Sequence, residues 1–125
     1  RTLGEGHPDL AVPLVRLGAL LRLRGEAEEA EKHLREGLEI WRRALPAGHQ
    51  RIIYTEALLG ACVAEQERHA EAIPLITPHL DTLRAWLGED HEFCRELLGL
   101  LATAHEHQGN LEVAGELRER LEVEE

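Results

Sequence analysis

Eight histidines, two cysteines and 24 carboxylate side chains are the groups of this 125-residue chain with metal-binding or proton-transfer chemistry. Three of the histidines lie in "LGEGHPD", "LPAGHQR" and "LGEDHEF", at positions 7, 49 and 91, so that 49−7 = 42 and 91−49 = 42. Ligand pairs on a helix sit at i and i+4 on one face, and residues a whole repeat apart cannot converge in that way. His105 and His107 are two apart and point in different directions. Glu65 and His69 span a helix end, the HExxH pattern is absent, and neither cysteine has a CxxC partner. No metal ligand is therefore expected.

Catalysis has as little support. Serine is absent, and the chain carries no P-loop, dinucleotide fingerprint or kinase signature. Cys62 shares an apolar stripe with Leu59 and Val63 and reads as core filler. Cys94 falls at a helix start, where a thiolate is favoured, but a packing role fits it better. The reading is of a protein that is not an enzyme and has no cofactor.

Lys and Arg number 14 against 24 Asp and Glu, a formal charge of −10. Nucleic acid and anionic membrane both need a basic face, so neither is an expected partner. Methionine is absent and the chain opens on Arg1, which suggests a segment of a longer protein. The cysteine usage, with no disulfide framework, suggests a reducing cytoplasm.

The 42-residue period extends past histidine. Leu17, Leu59 and Leu101 keep it, as do Gly18, Gly60 and Ala102, and Ala30, Ala72 and Ala114. Leu34 and Ile76 also match, and Arg118 breaks the third copy. Each unit reads as two helices. In unit one, Pro8 suits a first helical position, Leu10, Leu14, Leu17 and Leu21 follow at helical spacing, and Gly25 ends the helix. The second helix has the stripe Ala27, Ala30, Leu34, Leu38 and Trp41, and Pro46 and Gly48 stop it. Unit two predicts helices over 51–66 and 69–87, and unit three over 92–107 and 111–123. Pro13 and Pro74 lie near helix starts, whereas Pro78 is expected to bend the fourth helix. Mid-helix glycine costs roughly 1 kcal/mol relative to alanine. Close packing of Gly18, Gly60 and Ala102 on Ala30, Ala72 and Ala114 would offset that cost.

Leu14-x2-Leu17-Gly18-x2-Leu21 followed by Ala30-x3-Leu34 resembles the tetratricopeptide pattern, with leucine in place of each aromatic. Glu56-x2-Leu59-Gly60-x2-Val63 with Ala72-x3-Ile76 is the second copy. Leu98-x2-Leu101-Ala102-x2-His105 with Ala114-x3-Arg118 is the third. The 42-residue period with a histidine between units is similar to the repeats of kinesin light chains and bacterial relatives, including the repeat tails of bacterial serine/threonine kinases and regulators. The resemblance implies an all-α, right-handed superhelical array of about six helices in antiparallel pairs. One domain spans 1–125: the tail of a preceding unit at 1–6, then units at 7–48, 49–90 and 91–125. Glu56, His105 and Arg118 depart from the pattern, and the last two suit a C-terminal cap, because end repeats must meet water. A HEAT-type array is the alternative, but the turn at Gly25 favours the tetratricopeptide reading.

The family implies a protein or peptide partner, held in the groove lined by the first helix of each pair. By register that groove comprises Val12, Val15, Ala19, Arg22 and Leu23 of unit one. Unit two adds Tyr54, Ala57, Ala61, Ala64 and Glu65, and unit three adds Glu96, Gly99, Thr103, Glu106 and His107. Its acids suit a basic or polar side chain near unit three. The expected function is a scaffold. The alternatives are a sensor domain of a larger kinase or transcription regulator, and a homo-oligomer formed through the exposed array ends.

Overall fold

Two kinds of punctuation divide the chain into helical pairs, and both recur on the 42-residue period. The computed structural model describes residues 7–123; the expected tail of a preceding unit, 1–6, lies outside the described residues. A 3-10 turn at Pro8–Leu10 leads into α1 (Ala11–Leu23) and α2 (Ala27–Ala44). Next come α3 (Gln50–Glu65), α4 (His69–Ile76) and α5 (Leu80–Leu87), then α6 (Glu92–His107) and α7 (Leu111–Val123). There is no strand among the described residues. The helix expected from Pro8 thus opens with a tighter turn. Pro13 takes the third position of α1, where a missing N–H breaks no intrahelical bond.

The first punctuation closes the turn inside each pair. Gly25 and Gly109 have φ of +82° and Glu67 has φ of +64°. The next N–H in each case reaches back five residues: Glu26 to the Leu21 carbonyl at 2.9 Å, Arg68 to Val63 at 3.2 Å, Asn110 to His105 at 2.8 Å. This is the Schellman arrangement, which satisfies carbonyls left over at a helix end. Glu67 holds a left-handed conformation that glycine adopts without strain.

The second punctuation is histidine. Histidine is not a leading N-cap residue, and packing in the inter-unit turn with a bond to a nearby backbone group is the expectation from sequence. The structure shows that this bond is a cap. His7, His49 and His91 are N-caps with extended backbones. Their Nδ1 atoms accept from the N–H of Asp9 at 3.1 Å, Arg51 at 3.0 Å and Phe93 at 3.1 Å. An imidazole with its proton on Nε2 presents that lone pair, and so replaces the side-chain oxygen of a common cap. His49→Ala is expected to cost about 1 kcal/mol in a urea melt, and His49→Asp to recover most of it. Equal losses for both would assign the histidine to packing instead.

Pro78 interrupts the fourth arm at the place where a bend is expected. Helix α4 stops at Ile76, a 3-10 turn covers Thr77–His79, and α5 resumes at Leu80. The missing N–H of Pro78 removes one helical bond, and its ring crowds the preceding turn. His79 of that turn meets Glu56, with Nε2 to Oε1 at 2.6 Å. Arg42 binds the other oxygen of Glu56 at 2.5 Å. A carboxylate at a leucine-type position is thereby accommodated by two partners from flanking helices.

The core runs along the seams. Helix α3 lies between α2 and α4, and α6 packs on both α4 and α7, whereas α1 packs chiefly on α2. Leu59 and Leu101 are accordingly buried, while their counterpart Leu17 is 43% exposed. Leu20 and Leu23 of α1 are exposed as well. The small residues of the repeat do mark close approaches, but the partner differs from the one expected. A Cβ on Gly18 would lie 2.6 Å from Leu34 Cγ, and one on Gly60 would lie 2.6 Å from Ile76 Cγ1. The contact is with Leu34 and Ile76 rather than with the side chains of Ala30 and Ala72. In unit three the equivalent residue is Arg118, whose guanidinium turns to Glu106 at 2.8 and 2.9 Å. With no branched apolar side chain in that place, Ala102 fits where the other units need glycine.

Candidate functional site

The first helices of the three pairs, α1, α3 and α6, present one face, and two clefts open on it. The larger, about 500 Å³, lies between α1 and the start of α3. Val12, Val15, Trp41 and Tyr54 give it apolar walls, and Arg16 and Arg51 give it charge. Trp41 is buried and belongs to α2; the Arg51 guanidinium lies over its ring at 5.0 Å. The smaller cleft, about 200 Å³, is bounded by Ala19, Arg22, Leu23, Tyr54, Phe93 and Glu96. Tyr54 thus borders both. Its ring meets Phe93 edge-on at 5.6 Å, and burial raises its phenol pKa above the ordinary value against a smaller opposing pull from Arg22.

Arg22 binds the three first helices together. Helix α1 supplies it, α3 supplies Glu65 at 3.0 Å, and α6 supplies Glu96 at 3.3 Å. Phe93 lies 5.7 Å from the same guanidinium. Burial pulls the Arg22 pKa down, but the two carboxylates outweigh it and hold it above the ordinary value. Glu65 is raised: burial outweighs the stabilising charge and hydrogen bond of Arg22. The acids expected to receive a basic ligand therefore already have a cation from within the chain.

The other register positions differ in their surroundings. Val12, Val15, Tyr54, Ala19, Arg22, Leu23 and Glu96 border the clefts. Ala57, Ala61 and Ala64 do not, because all three are buried where helices approach closely. Thr103 and Glu106 are bound by Arg118 of α7, and that bond draws the Glu106 carboxyl below its ordinary range. His107 stacks on His69 of α4 at 4.2 Å between ring centres. Gly99 leaves open space where a side chain would stand. Register alone missed Arg16, Arg51, Trp41 and Phe93. One signal was present: Arg16 stands where Leu58 and Leu100 stand in the other units. The contribution of Trp41, from a second helix, had none.

Cys62 is buried, and its thiol is pushed up to about 12 by burial first and by Glu65 next. Cys94 is also buried. No group of three potential metal ligands occurs among the described residues.

A tetratricopeptide-repeat model matches residues 51–120, and a second matches 14–51. The chain belongs to the tetratricopeptide-repeat family. The first match alone covers more than half of the chain, and the stacked helical pairs agree with it. Tetratricopeptide repeats serve protein–protein interaction and scaffolding. No curated protein matches this sequence. Among the described residues, no helix of this tetratricopeptide array is long and apolar enough to cross a membrane.

Proposed function

We propose that the chain is a non-catalytic, cytoplasmic scaffold that holds a peptide or protein segment against the face formed by α1, α3 and α6. The units are 7–48, 49–90 and 91–125, the last a cap whose α7 buries little beyond Ala114 and Leu117. The observation that carries the proposal is Tyr54, 38% exposed and shared by two adjoining clefts. A rigid aromatic with a polar tip, set between apolar walls, has the properties of a binding hot spot.

Selection of a random peptide library against the chain tests this. Enriched peptides should bind Tyr54→Ala about tenfold or more weakly, with the fold checked by thermal melting. Trp86→Ala, exposed on α5 and outside both clefts, should leave binding unchanged. Peptides that tolerate Tyr54→Ala would set this face aside.

One observation favours self-association as a second reading. Leu17, Leu20 and Leu23 are 43, 60 and 72% exposed along α1, an apolar stripe of the kind that marks an interaction surface. Light scattering should then show mass rising with concentration, and a strict monomer would exclude it.

A further inference from the structure

The two joints of the array are built differently. Between units one and two, Arg35 of α2 reaches Glu71 of α4 at 2.7 Å, and Arg68 reaches Glu31 at 2.6 Å and Glu71 at 2.7 Å. Forty-two residues on, Arg35 is replaced by Thr77, Glu71 by Val113, Glu31 by Ile73 and Arg68 by Asn110. None of these can form an ion pair, and Asn110 instead meets His105 of its own unit, Nδ2 to Nδ1 at 3.1 Å. The network that closes the first joint therefore has no counterpart at the second. A cleft of about 240 Å³, bordered by Thr77 and Val113, opens in that place. It lies among the second helices and shares no residue with the two clefts on the face of α1, α3 and α6.

We infer that this cleft is a second interaction site, for a segment of another protein that sets one branched or aromatic apolar residue into it and a neighbouring Lys or Arg on Glu116. The inference does not rest on the reading of the Tyr54 face. The buried side chains of Leu80, Leu101 and Leu117 border the cleft, and Val113 beside them is 41% exposed. An apolar side chain entering here covers Val113 and gains by leaving water. The cleft is smaller than the roughly 300 Å³ at which small-molecule sites begin, so it suits a single side chain. Charge decides what accompanies that side chain. Arg120 lies 3.8 Å from Asp81, which Arg84 also approaches at 3.9 Å. Glu116 is exposed and has no cationic partner among the described residues. A cation on the partner completes that pair, and the net charge of −10 favours its approach. An acidic segment would meet Glu116 and find Arg120 already engaged.

The test is a random peptide library selected on the Tyr54→Ala chain, so that the two sites are read separately. Enriched peptides should pair Lys or Arg with a branched or aromatic apolar residue, and their binding should weaken as salt is raised. Two variants then address the cleft. Thr77→Arg/Val113→Glu places at the second joint the ion pair that Arg35 and Glu71 make at the first, and so fills the opening. Glu116→Lys reverses the charge. All three substituted side chains are exposed, and a thermal melt confirms that each variant is folded. Affinity should fall about tenfold or more in both. Unchanged affinity in either variant would overturn the proposal, as would enriched peptides that carry Asp or Glu in place of Lys or Arg. A selection that enriches nothing on the Tyr54→Ala chain would also overturn it, and would leave the reading of the Tyr54 face standing.

Discussion

Placing leucine at position 60 is expected to cost the fold about 3 kcal/mol. The first added atom decides this. A Cβ on Gly60 would stand 2.6 Å from Ile76 Cγ1 and 3.0 Å from Leu75 Cβ. Ile76 is fully buried and cannot withdraw, so α3 and α4 must separate along a packed seam. Alanine is the sharper probe, because propensity alone favours it by about 1 kcal/mol in a helix interior. At Gly60 the contact should win, with a net loss of about 1 kcal/mol or more. At Gly99 a Cβ meets nothing within 4 Å, and Gly99→Ala should stabilise by roughly 0.5–1 kcal/mol. Urea midpoints report the contrast, with the slope unchanged if only stability moves. Gly60→Leu melting like the parent chain would mean that α3 and α4 are not held at this separation.

Glu31→Gln is expected to remove about 1–2 kcal/mol of stability near neutral pH and little near pH 2. Glu31, 8% exposed on α2, ties unit one to unit two. It accepts from Arg68 at 2.6 Å, from Gln66 at 2.8 Å and from Arg35 of its own helix at 2.8 Å. Arg35 and Arg68 also share Glu71, each at 2.7 Å. Burial alone would raise the Glu31 carboxyl, but the hydrogen bonds from Arg68, Gln66 and Arg35 outweigh it and bring it to about 2 from 4.5. A folded-state value below the unfolded one adds stability that is complete above pH 4.5. That stability is lost as the pH falls toward 2, when the folded state must also take up the proton. The full shift corresponds to about 3 kcal/mol at roughly 1.4 per unit. Arg35 and Arg68 are 45 and 40% exposed, so solvent screening reduces the expected effect. Urea midpoints of the parent chain and of Glu31→Gln, followed from neutral pH down to pH 2, should converge. A constant gap across that range would show that the carboxyl is not held low.

Glu31 also shows where reading the residues in order reached its limit. With Arg35 four positions on, it reads as one of several helix-supporting pairs on a solvated face. The pair exists, but it is the smaller part of the role. Gln66 and Arg68 lie 35 and 37 residues away, and no spacing rule joins them to Glu31. Arg22 behaves likewise: its position on the inner face was legible, but its two carboxylates, from α3 and α6, were not. Ala57, Ala61 and Ala64 show the opposite error. Register placed them on an open wall, yet small side chains let helices approach until all three are buried.

Sequence alone determined what depends on near neighbours. The turns at Gly25, Glu67 and Gly109, the breaks before each histidine, the bend at Pro78 and the number of helical pairs all arise within a few residues. Backbone dihedrals and first-turn hydrogen bonds act at that range. The histidines were placed by period and expected to meet a nearby backbone group, though not as N-caps. Only the tertiary structure decided which side chains share a cleft. Arg16 and Arg51 stand 35 positions apart, and they face one cavity because α1, α2 and α3 pack at particular distances. Those distances depend on steric contacts such as those made by Gly18, Gly37 and Gly60, and on burial summed over whole seams. Neither leaves a mark at the positions whose function it decides.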